Sequence, residues 1–212
     1  MGTAMLVTAA RPRQGIAALR RFVRAPAAES CELCGTPIAP SHRHLLEPMA
    51  RRLLCACLAC AGAFTGGQAR YRTVPQEVAP LADFQISEAQ WGSLDLPIDI
   101  AFLFHSTPHG RPVALYPGPM GATESLPSLD AWGGLVTANP VLAALDPDVE
   151  ALLANRINGR RSYWRVPIDR CFELVGVIRS QWQGWSGGDA VWQAIDRYCD
   201  GLDKPDGRAG QA

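Results

Sequence analysis

Apolar positions recur along this chain with two different periods, and each change of period marks an element boundary. In residues 14–24, Ile16, Leu19, Phe22 and Val23 share one side of a helical projection while Arg20, Arg21 and Arg24 fall mostly on the other. That spacing predicts a short amphipathic helix, followed by a linker at 25–29. Residues 66–75 read as a turn and a short strand stopped by Pro75, and Ser87-x-x-Gln90 is a capping-box pattern for a helix through Trp91 and Leu94. Residues 98–104 and 111–116 read as two strands of a hairpin, with ThrProHisGlyArg as the turn, and 117–122 as a rigid loop.

Further along, Ser128 and Asp146 are good helix N-caps. The first helix should stop near Asn139-Pro140, and the second, with Pro147 at its first position, should run to about Ile157. A third strand is expected at 163–167, then a helix capped by Asp169 running through Trp182. Ser186 is placed to cap a last helix, whose stripe is Val191, Trp192, Ile195, Tyr198, Cys199 and Leu202. The tail from 205 is polar and expected to be disordered. Together these elements predict an α+β fold, with several helices gathered against a small antiparallel sheet.

Composition narrows the class. At 48% apolar and 19% charged residues, the chain has material for a core and is neither disordered nor collagen-like. No apolar run approaches the roughly 18 residues of a membrane span. The apolar start lacks a basic flank and a cleavage site, so a cytoplasmic protein is expected. Net charge is zero, yet residues 1–70 hold nine Arg and three Glu, while residues 71–212 hold eleven basic and seventeen acidic residues. Two readings of this asymmetry stay open: a basic face for an acidic partner or nucleic acid, or compensation for thiolates that the formal count omits.

The cysteines carry the strongest signal. Five of seven fall within thirty residues, as Cys31-x-x-Cys34-Gly35 and then Cys55-x-Cys57-x-x-Cys60, the two Cys-x-x-Cys pairs being 22 residues apart. Paired thiolates at such spacing are the ligands of structural zinc sites, and Gly35 permits the left-handed turn that bends the first pair towards one ion. In a reducing compartment cysteines of this kind bind metal rather than form disulfides. The expected ligands are Cys31, Cys34, Cys57 and Cys60, with Cys55 or His44 as substitutes. His42 and His44, two apart, would share one face of a strand, and His44 would reach the metal or bond to one of its ligands. Cys171 and Cys199 sit on apolar helix faces and read as small buried hydrophobes.

A Cys-x-x-Cys-Gly turn, a histidine strand and a second pair resemble a treble-clef or zinc-ribbon-like finger. The order is also similar to the His-Asn-His nucleases, but Arg43 stands where that family has Asp, and AlaGlyAlaPheThr after Cys60 lacks its Asn and following His or Lys. A rubredoxin-like single-iron site is the redox alternative, although Ala61 rather than Gly follows Cys60. Elsewhere, a pocket of His105, Tyr116 and Glu124 can be drawn beside the 117–124 loop, a place where a small molecule could bind. There is no Gly-x-Ser-x-Gly, no phosphate loop and no telling pair of carboxylates. Arg160-Arg161 with Tyr163 and Trp164 reads as a solvated turn entering a half-buried strand, with base stacking as the alternative.

LeuArgArgPheValArg (19–24), CysGluLeuCysGlyThrProIle (31–38), HisArgHisLeuLeu (42–46), ArgArgLeuLeuCysAlaCysLeuAlaCys (51–60), LeuTyrProGlyProMetGlyAlaThrGluSer (115–125), AlaAsnProValLeu (138–142) and ValProIleAspArgCysPheGluLeuValGly (166–176) occur in order. This run resembles an uncharacterised bacterial family, a domain of unknown function, over nearly the full length. The resemblance implies an accessory protein encoded near high-affinity nickel–iron hydrogenases. The expectation is a basic helix and linker at 1–30, a metal finger at 31–74, an α+β body at 75–204 and a tail at 205–212. Its function would be that of a zinc-stabilised accessory or interaction protein, with the question of catalysis left open but no catalytic set in the body, whose protein partner is a hydrogenase subunit or maturation factor. An iron electron carrier and a nucleic-acid-binding protein are the alternatives.

Overall fold

The computed structural model describes residues 29–64, 70–118, 120–184 and 187–203. The helix expected over 14–24, the linker at 25–28, Ser186 and the polar tail lie outside the described residues.

The sequence folds around two antiparallel sheets. The smaller has the order β2-β1-β3, built from β1 (Arg43–Glu47), β2 (Arg52–Ala56) and β3 (Arg72–Thr73), with helix α1 (Leu58–Ala63) following β2. Strand alternation divides its side chains between two surfaces. On one surface Leu45, Leu54 and Ala56 pack with Cys31, Cys60 and Ala61 in a core of six buried residues. On the other, Leu46 joins the main core of the protein, with Leu53 packed beside it.

The larger sheet has six strands, all pairs antiparallel, in the order β4-β9-β8-β5-β6-β7. Its strands are β4 (Ala79–Pro80), β5 (Ile100–Ser106), β6 (Arg111–Gly118), β7 (Gly121–Ser125), β8 (Glu150–Asn155) and β9 (Ser162–Pro167). Helices α4 (Ile168–Gln181) and α5 (Gly188–Leu202) cover one face, meeting Ile100, Phe102, Leu153 and Trp164. Helices α2 (Glu88–Gly92) and α3 (Leu129–Ala138) cover the other, meeting Ala101, Leu103, Leu152 and Tyr163. Burying one Leu or Ile fully contributes about 1.5–3 kcal/mol, so a sheet covered on both sides has a large reserve of stability.

The α+β expectation is met, and several local signals are too. The Ser87–Gln90 capping box is complete on both sides, Ser128 caps α3, and α3 ends at Asn139 before Pro140. The 98–104 and 111–116 segments form the expected hairpin, with Phe104 opposite Val113.

Four expectations are corrected. Residues 146–157 do not form a helix: Asp148 takes φ +64°, which breaks any helix, and 150–155 is a fully buried central strand. A strand buried on both faces presents an unbroken apolar run, which periodicity does not separate from a helix. The 117–122 segment is a tight hairpin end, where Gly118 pairs with Gly121 and leads into β7, rather than a free loop. The last helix is entered from Gly187, at φ +88°, and not from Ser186. Helix α4 is entered from Pro167, with Asp169 in its first turn.

Candidate metal centre

The four predicted cysteines meet. Cys31 and Cys34 sit on a tight turn closed by the Gly35 N–H donating to the Cys31 carbonyl at 2.8 Å, with Gly35 at φ +74° as the left-handed bend requires. The turn docks on the edge strand β2, where the Glu32 N–H donates to the Cys55 carbonyl at 2.9 Å and the Glu32 carboxylate accepts from the Cys55 N–H at 2.6 Å. The second pair belongs to the start of α1, where Cys57 is the cap residue and its sulfur accepts from the Cys60 N–H at 3.4 Å. A cysteine turn, a hairpin and a short helix that begins with the second pair follow one another in treble-clef order.

The sulfur atoms of Cys31, Cys34, Cys57 and Cys60 all lie within 4.8 Å of one another, and Cys34 and Cys57 are 3.8 Å apart. A tetrahedral ion with metal–sulfur bonds of about 2.3 Å needs sulfur pairs about 3.8 Å apart, so the donors match a single ion of the zinc or iron class. All seven cysteines are free thiols. Burial alone would push the Cys31 thiol up, but the backbone N–H groups around it outweigh that and bring it down to about 6. Burial, together with the three neighbouring thiols, pushes Cys60 up to about 12. Cys34 is lowered as well, by its hydrogen bond with Thr36, so two of the sulfurs are eased towards the thiolate while Cys60 resists; four thiolates crowd together only around a cation.

His44 and Cys55 are elsewhere. They face each other in the β1–β2 register, on the sheet surface turned away from the four-cysteine cluster. With His42 they form a second group whose ligand atoms lie within 4.8 Å of one another. Sequence reasoning saw the His-x-His alternation; the facing cysteine follows only once the hairpin turn is known to occupy 48–51.

The pocket drawn from His105, Tyr116 and Glu124 does not form. Glu124 lies opposite Leu115 and lines a cavity of about 360 Å³ with Leu46, Phe104 and Phe172, whereas Tyr116 packs on the other face of the sheet. Glu124 instead accepts from Arg51 at 2.6 Å and lies 3.3 Å from His109, which meets Ser106 Oγ at 3.0 Å. This group latches the β1–β2 turn to the body. Arg160 and Arg161 are ion-paired, with Asp200 at 2.9 Å and Glu88 at 2.8 Å, and Tyr163 and Trp164 are buried. Cys171 and Cys199 are fully buried, and Cys199 accepts from Asn155 at 3.3 Å.

Among the described residues no helix is long and apolar enough to cross a membrane. A model of a family of unknown function, DUF5947, matches residues 30–206. No curated protein and no solved structure matches the chain.

Proposed function

The chain belongs to that family, whose function is unknown, and we propose that it is a zinc-stabilised accessory protein that works by binding another protein. The observation that carries this is the four-sulfur cluster: four thiolates saturate a tetrahedral ion and leave no position for water or substrate, so the ion acts on the fold rather than on chemistry. The supported ligands are Cys31, Cys34, Cys57 and Cys60. The module around them also shows apolar surface for its size: Met49, Leu58 and Phe64 are three of the seven large apolar side chains exposed among the described residues. Arg51 and Arg52 in the same module are exposed, with Arg51 paired to Glu124 at 2.6 Å and Arg52 3.9 Å from Glu47.

The partner is a subunit or maturation factor of a nickel–iron hydrogenase in the cytoplasm, a reading that rests on the family resemblance of the sequence. A tagged chain isolated from a hydrogenase-producing host should carry hydrogenase subunits or maturation factors, and a Met49→Ala, Leu58→Ala, Phe64→Ala variant should lose them. Recovery of neither from the wild-type protein would refute the partner. The rubredoxin-like alternative predicts a red protein holding one iron, and a colourless protein with one or more zinc ions and no iron rules it out.

A further inference from the structure

We propose that His42, His44 and Cys55 form a second transition-metal site, at the junction between the small sheet and the body, with two imidazole nitrogens and one thiolate as ligands and a fourth position open. It is separate from the four-cysteine cluster, and the ion counts take that cluster, as in the proposed function, to be the first site.

The hydrogen bonds around the two histidines assign their tautomers. Nδ1 of His42 lies 2.9 Å from the Ala39 carbonyl and 3.3 Å from the Glu29 carboxylate. Both neighbours only accept, so Nδ1 carries a proton, and in the neutral ring Nε2 keeps the lone pair. That Nε2 is buried without a hydrogen-bond partner, on a side chain only 8% exposed. A buried polar atom left unpaired is costly, and a metal ion is the partner that a bare imidazole nitrogen beside a second imidazole and a thiol would take. Nδ1 of His44 lies 2.7 Å from Asp169 Oδ2, which accepts, so in the neutral ring its Nε2 is the nitrogen with the lone pair. A carboxylate behind a histidine is the arrangement that orients metal-binding imidazoles and raises their basicity.

The backbone supplies the third ligand. His44 stands directly opposite Cys55, so their side chains leave the sheet on the same face. The two histidine rings meet edge-on at 4.8 Å between centroids. Three ligands of mixed nitrogen and sulfur suit zinc and its neighbours and leave a vertex for an exogenous ligand. Asp169 comes from the first turn of α4, so such an ion fastens the small sheet to the body through His44.

Full-length protein saturated with Zn²⁺ and freed of excess should hold two ions per chain. His42→Ala and Cys55→Ala should each hold one, both leaving the four-cysteine set untouched. With Co²⁺ as the probe, each variant should lose one set of visible bands and retain the strong thiolate charge-transfer bands of a four-sulfur site. Asp169→Asn, which reaches the ion through His44 and keeps an oxygen for the Arg170 N–H, should keep both bands at saturation but release one ion 10–100-fold more readily, and Asp169→Glu should recover most of that loss. One ion in the wild type with all four cysteines engaged, two ions surviving in either variant, or joint loss of both from a variant would each overturn the site.

Discussion

The small sheet and the six-stranded body solve the same problem with different means. The small sheet buries six residues around its cysteines on one face and lends Leu46 to the body on the other. The body sandwiches its sheet between two helical layers, each with its own core. A core of six residues, two of them cysteines, is thin for a hairpin and a six-residue helix, and an ion held by the four cysteines would add what apolar burial does not. The body needs no such help. Stability in this protein is local in its cause, and each region should fail separately.

The largest effect expected is from the cysteines. Cys34→Ser or Cys57→Ser should release the four-sulfur ion and abolish hydrogen-exchange protection across 29–64, because structural zinc contributes about 10–16 kcal/mol in isolated finger peptides. Exchange in β5, β8 and β9 should be unchanged; loss of protection there too would erase the contrast between the regions. The converse perturbation is Leu153→Ala, at a fully buried position of the central strand β8. It should cost about 2–5 kcal/mol in denaturant unfolding while the metal content stays at the wild-type value.

A smaller, pH-dependent effect tests the helical layer over the second core. Hydrogen bonds from Arg156 and Arg161 hold the Glu88 carboxyl below its ordinary range. Its contribution is therefore complete above the unfolded glutamate value of about 4.3 and is lost as pH falls through the lower folded value. Glu88→Gln should weaken the body at neutral pH, since it leaves the buried guanidinium of Arg156 without its carboxylate, and should flatten the stability profile on the acid side. An unchanged acid limb would show that the pair does not couple to folding. Smallest of all should be Arg51→Ala: the pair with Glu124 is half-exposed, so its loss should shift unfolding by about 0–1 kcal/mol. A larger shift would mean that the latch, and not the shared core at Leu46, joins the two regions.

What could be read along the chain was whatever depends on near neighbours. The capping box at Ser87, the stop at Asn139-Pro140, the hairpin of 98–104 and 111–116 and the bend at Gly35 each rest on residues within a few positions, and each stands in the structure. The four cysteines were legible as two pairs, because each Cys-x-x-Cys turn points its own two sulfurs to one side; the pairs meet because the first turn docks on β2 through Glu32 and Cys55. The strand at 150–155 reads along the chain as part of a helix because burial on both faces hides the alternation of its side chains.

Local chemistry along the sequence therefore settled the four-cysteine cluster, the caps at Ser87 and Ser128 and the α+β class. Folding in three dimensions alone decided which face of the small sheet each histidine would occupy, that Cys55 would sit against His44 and not among the other sulfurs, and that Asp169, 125 positions away, would orient that imidazole. The reason is physical: a turn or cap is closed by bonds between adjacent residues, whereas the partner of a side chain on a sheet face is set by register and by whatever packs above it.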